Sequence, residues 1–95
     1  MTDKQLLSTA LDFRRGVIEN KKSTNWCYAI SAPLEGYLNF IGVYCELTIG
    51  YIGDTEHFWI TLPNGRILDP TADQFSDDMP KVYLGRIPNN YKQKL

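Results

Sequence analysis

Three side chains able to carry out nucleophilic acyl transfer occur in this chain in the order thiol, imidazole, carboxylate: Cys27, His57 and Asp69. His57 is the only histidine, and the two cysteines are Cys27 and Cys45. In such a set the imidazole deprotonates or ion-pairs with the thiol, and the carboxylate orients the imidazole. The sulfur attacks a carbonyl to give a thioester, and the acyl group passes on to water or an amine. Each residue also has a plainer use on its own: a hydrogen-bonded structural histidine, a turn aspartate, a small core hydrophobe. The chemistry exists only if the elements that carry the three side chains converge.

His57 and Asp69 flank one tight turn. Phe58 to Leu62 and Ile67 to Leu68 are apolar runs on either side of Pro63-Asn64-Gly65, a hairpin signal. A two-residue Asn64-Gly65 loop would place Ile60 opposite Asp69 and send Asp69 to the face away from His57. A three-residue loop, Pro63-Asn64-Gly65, suits Pro63 at the second turn position and Gly65 in the left-handed conformation. That register puts Trp59 opposite Asp69 and Thr71 opposite His57. His57 and Asp69 then become diagonal neighbours on one face. One ring nitrogen is expected to donate to Asp69, which leaves the other to act on something else.

His57, Trp59 and Asp69-Pro70-Thr71 resemble the second half of the transglutaminase core, where a histidine closely followed by tryptophan precedes Asp-Pro-Thr on the next strand. That superfamily shares its architecture with papain-like cysteine hydrolases. The resemblance covers roughly residues 26–75 and is densest between the histidine and the aspartate. It implies a nucleophilic cysteine at a helix N-terminus upstream of the histidine, and Cys27, in Asn25-Trp26-Cys27-Tyr28-Ala29, occupies that place. Papain-like enzymes commonly set a glutamine upstream as an oxyanion donor, and none stands between Leu6 and Cys27. Backbone N–H groups at the start of the cysteine helix are expected to serve instead. Asn25, Trp26, Trp59 and Gln74 are the candidates for an oxyanion donor or pocket wall, with Trp59 as packing on any account.

Local signals also bear on the cysteine. Ser23, Thr24 and Asn25 are good N-cap residues and precede a stripe of Trp26, Ile30, Leu34, Tyr37, Leu38 and Ile41. A helix from near Trp26 to Gly42 places Cys27 in a first turn whose unpaired N–H groups and dipole favour an anion such as a thiolate. Pro33 leaves a second possibility. A proline in a helix interior costs on the order of 3 kcal/mol, so the helix either kinks at Pro33 or is capped by Ser31 and starts at Ala32. In the latter case Cys27 lies in an extended segment.

Thr2-Asp3-Lys4-Gln5 has the form of a capping box before Leu6, Leu7, Ala10, Leu11, Val17 and Ile18, which predicts a helix from Asp3 to about Glu19. Val43 to Ile52 alternates as a strand, with Cys45 on its mostly apolar face, and Gly53-Asp54-Thr55 turns into the His57 strand. Both faces of the hairpin carry apolar residues, so the cysteine helix is expected on the His57 face and the first helix on the other. Val82 to Leu84 reads as a last short strand. The expected fold is α+β, with N-terminal helices packed on a small antiparallel sheet of about three to four strands, to which the resemblance adds a papain-like or transglutaminase-like core. One domain is expected: residues 1–22 as helix and loop, 23–42 as the cysteine-bearing helix, 43–88 as the sheet, and 89–95 as a polar tail.

Size and charge set outer bounds. A chain of 95 residues holds one core and no separate substrate domain, so any site must be shallow or shared. The net charge of −1, with scattered lysines and arginines, gives no basis for nucleic-acid capture. No apolar run reaches the roughly 18 to 20 residues of a membrane span, and the N-terminus has no signal-peptide character. A cytoplasmic location with two reduced thiols follows, and one histidine with two separated cysteines is too few for a metal site. No cofactor is expected. Two function classes stand: a cysteine hydrolase or acyltransferase acting on a peptide or protein amide (peptidase, deamidase or transglutaminase-like), and an inactive member of the fold that binds a protein partner.

Overall fold

A computed structural model of the chain describes residues 1–18, 26–74 and 78–94. Helix α1 spans Asp3–Ile18 and helix α2 Cys27–Phe40. Five strands follow: β1 Glu46–Ile52, β2 Thr55–Thr61, β3 Arg66–Asp69, β4 Tyr83–Arg86 and β5 Tyr91–Gln93. They form one antiparallel sheet in the order β4-β3-β2-β1-β5. Five strands exceed the expected three to four. The extra one is β5, from the stretch expected to be a polar tail. Its turn closes with the Tyr91 N–H donating to Pro88 O at 3.0 Å, and it then pairs along the edge of β1 that β2 leaves open.

Local chemistry accounts for most boundaries. The capping box forms as the sequence predicts: the Gln5 N–H donates to Thr2 Oγ1 at 3.1 Å and the Thr2 N–H to Gln5 Oε1 at 2.8 Å. Helix α2 runs continuously through Pro33, so Ser31 is no cap but a buried residue within the helix. It ends in a Schellman closure, with Gly42 at φ 91°, its N–H on Asn39 O and the Val43 N–H on Leu38 O at 2.8 Å. Strand β1 starts three residues later than the alternation predicts. The Asn39 side chain engages the backbone of Cys45 in both directions, at 3.1 and 3.3 Å, and keeps it out of the ladder. Ile52 pairs with Thr55, so the next turn is the two-residue Gly53-Asp54 and Thr55 already belongs to β2.

The decisive turn is the predicted three-residue loop. Ile60 pairs with Leu68 and Thr61 with Ile67. The Leu62 N–H donates to Arg66 O at 2.8 Å, the Gly65 N–H to Leu62 O at 3.1 Å, and Gly65 has φ 80°. His57 and Asp69 therefore leave the sheet on one side.

The layers are arranged differently from expectation. Leu6 and Ala10 of α1 join Leu34 and Leu38 of α2 in one cluster with Cys45, Ile60, Leu62 and Leu68. Both helices thus cover the face opposite His57, and α2 is not on the His57 face. The second face needs no helix because the sheet curls over its own aromatic side chains. Trp59, Ile67 and Tyr91 form its buried cluster, with Ile52 and Tyr83 against them. Gly50 makes this possible, since a Cβ there would collide with the Trp59 ring and the Lys92 carbonyl. Among the described residues no helix is long and apolar enough to cross a membrane.

Candidate active site

Asp69 is the hub of the site. It is fully buried and accepts four hydrogen bonds. Its Oδ1 takes the Thr71 N–H at 2.9 Å and the Thr71 hydroxyl at 3.3 Å, the local turn that Asp-Pro-Thr forms with its own backbone. Its Oδ2 lies 2.7 Å from His57 Nε2 and 2.6 Å from the Tyr91 hydroxyl. A carboxylate only accepts, so both neighbours donate, and donors of this kind keep a buried charge satisfied.

Pro70 also ends the pairing of β2 with β3. Hydrogen-bonded pairs alternate along β2 and β3 from Leu62 with Arg66, through Ile60 with Leu68, to Phe58 with residue 70. Pro70 has no N–H and the ladder stops before it, so β2 and β3 part at this point. The Phe58 N–H faces that gap, and the Cys27 sulfur accepts it. Helix α2 lies over the apolar face while its first turn reaches the strand edge, where the thiol also meets the His57 ring that stands on the other face. Since Nε2 is held by Asp69, Nδ1 is the nitrogen turned to the sulfur. The result is a row, Cys27 to His57 to Asp69, assembled from α2, β2 and β3.

Electrostatics polarise the row. Burial by itself raises the Cys27 pKa, but the hydrogen bond with His57, the Phe58 N–H, the imidazolium charge and the Tyr28 N–H outweigh it and bring the thiol below its ordinary range. Burial pulls His57 down, and the hydrogen bonds to Asp69 and then Cys27, with the charges behind them, push it up to about 9. A lowered thiol beside a raised imidazole draws the shared proton from sulfur toward nitrogen, in the direction of a thiolate–imidazolium pair.

Other sequence candidates are placed as follows. Asn25, with Ser23 and Thr24, lies outside the described residues. Trp26 stands at the N-cap of α2, makes no side-chain cap bond, and is 42% exposed. Trp59 is buried wall, its ring 6.2 Å from that of His57. Gln74 closes a short 3-10 turn, Ala72–Gln74, and its buried Oε1 has no hydrogen-bond partner among the described residues. The first-turn N–H groups of α2 precede the first intrahelical bond, from the Ile30 N–H to Trp26 O at 3.1 Å.

Two residues carry the site without having been singled out in the sequence. Tyr91 is one. The other is Arg14, which is buried in α1 and ion-pairs with Asp73 at 2.7 and 2.9 Å while donating to the carbonyls of Pro70 and Lys81. It ties the segment after Asp69 to the first helix. A signal existed: Leu6, Ala10, Arg14 and Ile18 step by four along the buried side of α1. Among the described residues no group of three or more His, Cys, Asp or Glu side chains converges as metal ligands do. A surface depression of about 520 Å³ among Asn64, Arg66, Arg86 and Asn89 lies at the hairpin tip and away from the thiol. Compared with family models, curated proteins and solved structures, the chain matches none.

Proposed function

We propose that the chain is a cysteine-dependent enzyme of the papain-like or transglutaminase-like kind that transfers or hydrolyses an acyl group from a peptide or protein amide. The observation that carries this reading is the row of Cys27, His57 and Asp69, with a thiol pKa drawn down and an imidazole pKa drawn up. The Cys27 thiolate attacks the amide carbonyl, and the oxygen that becomes negative is met by first-turn N–H groups of α2. His57 gives its Nδ1 proton to the leaving amine as the C–N bond breaks, leaving a thioester on Cys27. The neutral ring then takes a proton from water, or from an acceptor amine, as that nucleophile attacks the thioester. Expulsion of the thiolate restores the pair. Asp69 keeps Nε2 protonated throughout and therefore keeps Nδ1 as the working nitrogen. Free thiols at Cys27 and Cys45 suit a reducing, cytosolic setting.

Incubation of the protein with a peptide library and hydroxylamine tests the proposal, because an acyl-enzyme on Cys27 passes its acyl group to that amine. Peptide hydroxamates are expected with the native chain and not with Cys27→Ala. Failure to form any, or equal formation by the variant, overturns the enzyme reading. The alternative is an inactive fold member that docks a protein, and one observation favours it. Tyr37, Phe40, Ile41 and Tyr44 are all exposed around the C-terminal end of α2, Phe40 to 87%.

A further inference from the structure

Tyr91 enters the site from the last strand. A flat sheet would separate β5 from β3 by three strand spacings, about 14 Å. Curling lets the Tyr91 hydroxyl reach Asp69 Oδ2 at 2.6 Å, on the same oxygen that His57 Nε2 approaches at 2.7 Å. Its ring stands edge-on to His57, with centroids 5.9 Å apart at 89°, and packs on Trp59 at 5.2 Å. Burial, then the Asp69 charge and hydrogen bond, hold the Tyr91 hydroxyl protonated well above the ordinary phenol range. The hydroxyl is thus a permanent donor to the carboxylate that orients the imidazole.

We infer that Tyr91 is a positioning residue for the Cys27–His57–Asp69 row: its hydroxyl fixes the Asp69 carboxylate and, by sharing Oδ2, limits how tightly His57 holds its proton. Two donors on one oxygen divide its charge, so each weakens the other. Thr71 restrains Oδ1 in the same way, which leaves the carboxylate no rotation. An imidazolium gripped by an undivided carboxylate would be a poorer acid toward a leaving amine. The titratable groups facing His57 are Cys27 from α2, Asp69 from β3 and Tyr91 from β5, with Tyr83 of β4 beside Tyr91. Its consequence for turnover rests on the acyl-transfer reading; its effect on His57 does not.

That separation sets the experiment. His57 is the only histidine, so its ring signals in an NMR titration report on one site. Tyr91→Phe keeps the ring and removes the donor, and the His57 midpoint is expected to rise by about half to one pH unit. Replacing Tyr91 with a ring-fluorinated tyrosine, a stronger donor of nearly the same size, is expected to move it down, and this variant serves if Tyr91→Phe does not fold. In turnover, kcat should fall about three- to tenfold in Tyr91→Phe with KM unchanged, because Tyr91 is buried and acts on the thiol only through Asp69 and His57. An unmoved His57 midpoint in a folded variant overturns the inference and leaves Tyr91 as packing alone. Opposite midpoint shifts in the two variants, without turnover in any form, uphold the inference and overturn the acyl-transfer reading instead.

Discussion

The two ends of helix α2 each hold a cysteine, and they treat it in opposite ways. At the first turn, Cys27 meets the His57 ring and two backbone N–H groups, and its thiol pKa is drawn down. Just past the last turn, Cys45 is buried against the Glu35 carbonyl at 3.8 Å, and burial, with the Glu35 charge behind it, pushes the thiol up to about 11. The positive end of the helix dipole lies near one sulfur and the negative end near the other. Reactivity here is a property of position on the helix and of what the sheet brings to it. It does not follow from residue type.

The largest effect expected from this contrast is in alkylation. The Cys45 thiol is pushed up to about 11 and that of Cys27 is drawn below its ordinary range, so iodoacetamide at pH 7 should modify Cys27 more than about a hundredfold faster. Time-resolved peptide mass mapping checks the ratio, and comparable rates would erase the distinction between the two ends.

Removing the imidazole should narrow the contrast, because only the backbone donors then act on Cys27. His57→Ala is expected to slow Cys27 alkylation near neutral pH by about tenfold and leave Cys45 unchanged. A rate that does not fall would assign the lowered thiol to the helix and the Phe58 N–H alone. A parallel rise at Cys45 would mean that the core had opened.

The smallest effect concerns stability against pH. His57 is raised from 6.5 to about 9 on folding, so its contribution is complete below pH 6.5 and is lost as the pH climbs through 9. Cys27 is lowered on folding from 9.0, so its contribution is present above that value and is lost as the pH falls through the folded one. In the native chain the two trends oppose each other, because the pair moves a proton from sulfur to nitrogen without binding an extra one. In Cys27→Ala only the histidine trend survives, maintained by Asp69. Calorimetry should show that variant losing about 1 kcal/mol more than the native chain between pH 6.5 and 9. Parallel curves would mean that the proton is not shared in this way.

Much of the site's geometry was legible because it is local. Pro63 and Gly65 select the loop length, loop length sets the register, and register places His57 and Asp69 on one face. Thr2 and Gln5 mark the start of α1 just as locally. The stop of α2 at Gly42 follows from the one conformation that glycine adopts freely.

What only the tertiary structure decided depends on partners distant in the chain. Tyr91 reads as part of a polar tail because its neighbours are Asn90 and Lys92; a free edge on β1 and a curled sheet make it a strand residue that reaches Asp69. Arg14 is one of the scattered arginines of the sequence, and it is buried because Asp73 and two carbonyls wait at the end of a loop nearly sixty positions away. The face taken by α2 is the opposite of the one expected from the sequence, since both faces of the hairpin carry apolar residues and alternation does not choose between them. Gly50 resolved it by letting Trp59 lie flat and fill one face from within the sheet. Local alternation and turn chemistry are written in a few adjacent residues. Which side of a sheet is covered, and by what, is settled only when the whole chain competes for the same space.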